Sequence, residues 1–129
     1  MYTSEDEIER VVRGFETCET DKSAFKHREH LTVGVWYLQT LDTKAAVESM
    51  RTGLLRFVDH HGVSREKYSE EVTVYWIELI AEKLAELAPE VGLVEKCNYI
   101  IQNTDKANFN RIVHKPVTRV EAEGSPAKS

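Results

Sequence analysis

The chain is poor in the residues and patterns that most often announce chemistry. Its two cysteines, Cys18 and Cys97, lie 79 positions apart with no CxxC or Cys/His spacing. That excludes a zinc knuckle or a redox pair as sequence readings and leaves two core or boundary thiols. No apolar run approaches the roughly 18 residues of a membrane span. The acidic segment Met1 to Glu9 lacks the basic-then-apolar order of a secretory leader, so a cytoplasmic protein with no membrane partner is expected. No Asn-Gly or Asp-Gly pair signals a hairpin, and no strand is demanded anywhere. There is no Gly-x-Ser-x-Gly elbow and no His-Glu-x-x-His motif. The acidic runs Ser4 to Glu9 and Glu82 to Glu90 lack the alternating oxygen ligands and central glycine of a calcium loop, and read as solvated helix faces. Positive charge is also in deficit, with 17 Lys and Arg against 22 Asp and Glu, a formal net charge of -5. A phosphate-tracking surface needs the opposite, so no nucleic-acid partner is expected.

What is present is a helical pattern. A length of 129 residues, 41% hydrophobic and 30% charged, suits one hydrophobic core. The expected class is all-α, a compact bundle of four to five short helices. It would occupy residues 1–115 as one domain, followed by a disordered tail over 116–129, where Gly124, Pro126 and small polar residues leave little to bury.

Ser4 and Glu7 form a capping box ahead of a stripe of Ile8, Val11, Val12 and Phe15, and Thr17 to Asp21 ends that helix near Glu16. A second helix is expected from between Ser23 and Lys26 to about Leu41, with His27, His30, Leu31, Gly34, Leu38 and Leu41 in one arc. Asp42 or Thr43 caps a third, which carries Val47, Met50, Leu54, Phe57 and Val58 and stops at His60-His61-Gly62, with Gly62 in the left-handed position. Ser64 is expected to open the fourth helix, the longest and most buried, with Tyr68, Val72, Trp76, Leu79, Ile80, Leu84 and Leu87 on a wide apolar face before Pro89. A fifth segment runs from about Val91 to Gln102, and a short turn through Phe109 and Ile112 follows. Connections of two to eight residues favour an up-and-down bundle, with a less regular packing as the alternative.

His27-Arg28-Glu29-His30 is the most informative stretch. Positions i and i+3 bring two imidazoles together on one inward face, where they could share a divalent metal or serve as acid and base. A third ligand would come from another helix, with His61, Glu70 and Glu71 as candidates. The plainer alternative has both histidines bonding the backbone of their own first turn. Neutral imidazoles are expected near a helix N-terminus, where the dipole disfavours a cation.

Tyr68, Ser69 and Thr73 would place hydroxyls on the inward side of helix four, facing those histidines across a polar pocket. The alternative for Thr73 is a bond back to the carbonyl four residues earlier. Trp36, Tyr37, Tyr75 and Trp76 could wall the pocket or simply be core. His60 and His114 read as a helix end and part of an irregular segment.

Phe25-x-His27-x-x-His30-Leu31, followed by Gly62, Tyr68, Thr73 and Trp76, resembles a family of small bacterial all-helical proteins with no assigned activity, whose pattern is His-x-x-His-Leu and then Tyr-His-x-Thr-x-Thr. The resemblance spans about Phe25 to Ile80, under half of the chain. Ser69 stands where that family has His, and Glu71 where it has Thr, which puts any activity depending on them in doubt. The resemblance implies a pocket between helices two and four with His27, His30, Tyr68 and Thr73 at the matched positions, and names no reaction.

The residues point first to a domain that binds a small molecule or divalent metal in that pocket, through His27, His30, Tyr68, Ser69, Thr73 and Trp76. Hydrolase-like or lyase-like chemistry is its catalytic extension. The alternatives are a protein-protein interaction module, or a structural homodimer sharing the wide face of helix four.

Overall fold

The structure is a computed structural model that describes residues 1–104. The expected turn through Phe109 and Ile112, His114 and the tail over 116–129 lie outside the described residues. Within them the chain is all-helical: α1 (Glu5–Glu16), α2 (His27–Leu38), α3 (Thr43–His60), α4 (Glu70–Leu84) and α5 (Leu93–Asn103), with a single 3-10 turn at Arg65–Lys67. None of these helices is long and apolar enough to cross a membrane.

Local chemistry sets most boundaries. At the start of α1, Glu7 Oε1 accepts the backbone N–H of Ser4 at 3.0 Å while Ser4 Oγ accepts that of Glu7, completing the capping box. Asp42 Oδ1 accepts the Ala45 N–H at 2.8 Å to begin α3. That helix ends at His60, and Gly62 follows with φ +70°, the left-handed conformation that costs glycine nothing. Cys18 takes the corresponding position after α1 with φ +64°, although it carries a side chain. Its burial against the core holds it there.

Three expectations about the middle of the chain need correction. Ser64 caps only the 3-10 turn, by accepting from Glu66 N, and Tyr68 then returns to extended backbone (φ -79°, ψ 138°). It is Ser69, accepting from Val72 N at 3.2 Å, that begins α4. Tyr68 and Ser69 therefore precede α4 rather than ride on its inward side. Second, α2 stops at Leu38, three residues short of Leu41. Third, α4 is neither the longest helix nor the most buried: α3 has 18 residues, and α2 buries Leu31, Thr32, Val33, Gly34 and Val35 in succession and then Tyr37.

Such continuous burial means that α2 is covered on every side. It packs against α1, α3, α4 and α5. The architecture is thus a central helix with four around it, not four equivalent helices in a ring. One side of α2 joins a core of Phe15, Phe25, Met50, Phe57 and Ile77, and the other joins Ile8, Ile80, Leu93, Cys97 and Ile100. Gly34 lets α4 approach, since a Cβ there would fall 2.8 Å from Ile80 Cδ1. The second core also takes in Tyr2, whose backbone is bracketed by Asn98 through two 3.0 Å bonds. The acidic N-terminal segment gave no sign of this anchor.

Candidate functional site

The first turn of α2 follows from Lys26, which is extended (φ -107°, ψ -171°) and whose N–H is accepted by Glu29 Oε1 at 2.9 Å. His27 and His30 therefore occupy the first turn of the helix. The His27 ring stands edge-on to Trp76 of α4, centroids 4.9 Å apart. The His30 ring lies 4.5 Å from Phe25, which itself stacks on Phe15 at 4.7 Å. His30 Nδ1 donates to the Lys26 carbonyl at 3.2 Å. A carbonyl can only accept, so this bond fixes the proton on Nδ1 and leaves Nε2 as the acceptor. Burial lowers the His30 pKa from its ordinary value, outweighing the bond to Lys26, which acts in the opposite sense. His30 is therefore neutral at neutral pH, able to accept a hydrogen bond or a proton at Nε2.

Beside these histidines is a cavity of about 510 Å³, within the size range of pockets that hold metabolites and drug-sized ligands. His27, His30 and Leu31 form the α2 wall. Val72, Thr73, Trp76, Ile77 and Ile80 form the α4 wall, and Met50, Leu54, Phe57 and Val58 of α3 close the third side. Tyr68 and Ser69 line it from the stretch before α4. All six residues singled out for ligand binding, His27, His30, Tyr68, Ser69, Thr73 and Trp76, share this one cavity.

Of the two readings of Thr73, the local one holds, and Tyr68 also turns to a near neighbour. Thr73 Oγ1 donates to the Ser69 carbonyl at 3.0 Å, the local bond four residues back, and Tyr68 donates its hydroxyl to Glu70 at 2.7 Å. The interior is accordingly more apolar than the sequence suggested. Of the four aromatic residues named as walls, only Trp76 lines the cavity among the described residues. Tyr37 is buried elsewhere with its hydroxyl donated to Glu16 at 2.7 Å, Trp36 packs between the two cores, and Tyr75 stands 5.2 Å behind Trp76.

None of the three candidate third ligands, His61, Glu70 and Glu71, joins His27 and His30 in a group that could hold a metal ion. Among the described residues no group of three or more His, Cys, Asp or Glu side chains is arranged to hold a metal ion. His61 packs on Phe57, 4.4 Å away, and on His60. Glu70 is clamped by Arg51 through two 2.9 Å bonds, and Glu71 is exposed.

Two features escaped the sequence reading. One is the α3 wall, whose residues read simply as core. The other is a set of lysines, Lys22, Lys26 and Lys67, that also line the cavity. They are 45 positions apart at the extremes, and no spacing signal connects them. Comparison with known proteins finds no matching family model, no matching curated protein and no matching solved structure.

Proposed function

We propose that this chain is a small-molecule-binding helical domain whose ligand occupies the cavity between α2, α3 and α4. The observation that carries this reading is the cavity itself, about 510 Å³ and walled by apolar side chains, with the neutral His30 imidazole at its edge. Few polar groups on an apolar lining is the usual composition of a ligand pocket. His30 then orients the ligand by accepting a hydrogen bond at Nε2, and is the group to act as base on an acidic proton held against it. The histidine motif shared with the small bacterial helical family falls in the same place.

Other readings have less support. A divalent metal on His27 and His30 lacks a third side-chain donor among the described residues. An interaction module or a homodimer through α4 calls for an exposed apolar face, yet Met1 is the one large hydrophobic side chain exposed among the described residues. Both cysteines are free and buried, and burial pushes the Cys97 thiol up to about 12. Two free, buried thiols accord with a cytoplasmic setting.

The test is binding of a neutral apolar fluorophore, N-phenyl-1-naphthylamine, whose emission rises in a dry site. Wild-type protein is expected to bind it at one site. Leu54→Trp and Val72→Trp, which fill the cavity from α3 and α4, are expected to abolish binding while helix content by circular dichroism is retained. No binding by the wild type, or equal binding by both filled variants, would overturn the reading.

A further inference from the structure

The cavity is apolar, yet its rim carries one sign of charge. Lys22 comes from the α1–α2 connection, Lys26 from the N-cap of α2, and Lys67 from the 3-10 turn before α4, so three separate segments bring a lysine to the lining of one cavity. Among the described residues, no Asp or Glu lines the cavity. This happens in a chain whose net charge is -5.

Three of the carboxylates near these lysines in sequence are held by other groups, while Glu66 beside Lys67 is exposed and Asp21 also feels the charge of Lys22. Asp21 accepts from the backbone and hydroxyl of Ser23, Glu29 accepts the Lys26 N–H, and Glu70 is held by Arg51 and Tyr68. None of the three lysines forms an ion pair among the described residues; the ion pairs there are Arg13–Glu9, Arg51–Glu70 and Arg65–Asp59. The first turn of α2 borders the same cavity, and its N-terminal end adds positive potential. Lysines in the lining of an apolar hollow, with no carboxylate among its described lining residues, are complementary to an amphipathic anion.

We propose that the ligand is an amphipathic carboxylate, its apolar body in the cavity and its carboxylate at the rim formed by Lys22, Lys26 and Lys67. This deepens the small-molecule reading above and rests on it, the carboxylate going to the lysines and His30 Nε2 serving any O–H or N–H donor on the ligand's body. The apolar body is held by the walls of α3 and α4, which discriminate little between chains of similar bulk. The lysines select the acid over its neutral counterpart. Because their ammonium groups are solvent-exposed, the selection is modest and sensitive to salt.

The experiment measures displacement of N-phenyl-1-naphthylamine by dodecanoate and by dodecan-1-ol, which match in chain length and differ in charge. In low salt, dodecanoate is expected to displace the probe at a roughly three- to tenfold lower concentration than the alcohol. The preference is expected to shrink in about 0.5 M salt. In Lys22→Gln/Lys26→Gln/Lys67→Gln it is expected to disappear while the alcohol still competes. An equal or better alcohol, or a preference that survives the triple variant, would overturn the carboxylate assignment and leave the cavity reading standing. Failure of the probe itself to bind would overturn both.

Discussion

His30 Nδ1 lies 3.2 Å from the Lys26 carbonyl oxygen, and that same oxygen accepts the His30 backbone N–H at 3.0 Å. One carbonyl at the start of α2 thus fixes the backbone, the tautomer and the orientation of the imidazole together. Burial and this bond oppose each other in setting the charge of the ring, and burial is the larger cause.

The first prediction concerns that charge. Because the folded protein depresses the His30 pKa, the unfolded chain binds the proton more readily, and stability rises with pH through this window. The contribution is fully present above the ordinary value of 6.5 and is lost as the pH falls through the lower, folded value. His30 resonances followed by NMR are expected to titrate below 6.5, and His30→Gln is expected to flatten the loss of urea stability as the pH falls below 6.5. A His30 that titrates at or above 6.5 would contradict the burial argument.

Two glycines should respond unequally to a methyl group. At Gly53 an added Cβ would meet the rigid Phe15 ring at 2.5 and 2.7 Å, whereas at Gly34 it would meet the movable tip of Ile80 at 2.8 Å. Gly53→Ala is expected to destabilise by about 1–3 kcal/mol through overpacking. Gly34→Ala should come close to neutral, since the gain of about 1 kcal/mol in helix propensity offsets a small shift of Ile80. Urea midpoints of the two variants give the comparison, and the reverse order would show that α4, not Phe15, is the less yielding neighbour.

Tyr2 should be part of the folded core. The Thr32 hydroxyl has one proton, and it goes to the Arg28 carbonyl at 2.9 Å, so the Tyr2 hydroxyl must donate in its 2.9 Å bond to Thr32. The Arg28 guanidinium also sits 4.5 Å over the Tyr2 ring. Tyr2→Phe is expected to cost about 0.5–1.5 kcal/mol, and Tyr2→Ala about 3–5 kcal/mol. If equilibrium unfolding shows Tyr2→Ala to be neutral, the N-terminal segment does not hold α2 to α5.

Glu70 should titrate far from the usual range. The Arg51 guanidinium first, and the Tyr68 hydroxyl second, bring its carboxyl down to about 2 from 4.5. Whatever the pair contributes to stability is present above 4.5 and is lost as the pH falls towards 2. Arg51→Gln is expected to return the Glu70 carboxyl, seen by NMR, towards the ordinary carboxylate value. The change in thermal stability should be small and should fade in high salt, because the pair is exposed. A Glu70 that keeps its low value in Arg51→Gln would mean that Tyr68 alone is responsible.

Signals confined to one turn of chain are legible in the order of residues alone. Ser4 with Glu7, Asp42 before α3 and Gly62 after it act through bonds or dihedrals within a few residues, and each stands where the sequence put it. Ser64 misled because serine caps a 3-10 turn by the same chemistry as an α-helix, and only the extended Tyr68 separates the two elements. The central position of α2 was hidden for the opposite reason. A helix covered on all sides has no single apolar stripe, so its arc of histidines and leucines gave only one of its buried faces.

By itself, the sequence determined an all-helical chain, its caps and stops, and a pair of histidines three apart in the first turn of one helix. Those outcomes depend on short-range hydrogen bonds and on the 3.6-residue period, which every local segment carries within it. Tertiary structure alone decided that α2 would be the hub and that Tyr2 would lock onto Asn98 and Thr32. It also decided that Lys22, Lys26 and Lys67 would meet at one opening. Such meetings depend on how distant faces pack, and nothing in the spacing of residues far apart along the chain encodes their distance in space.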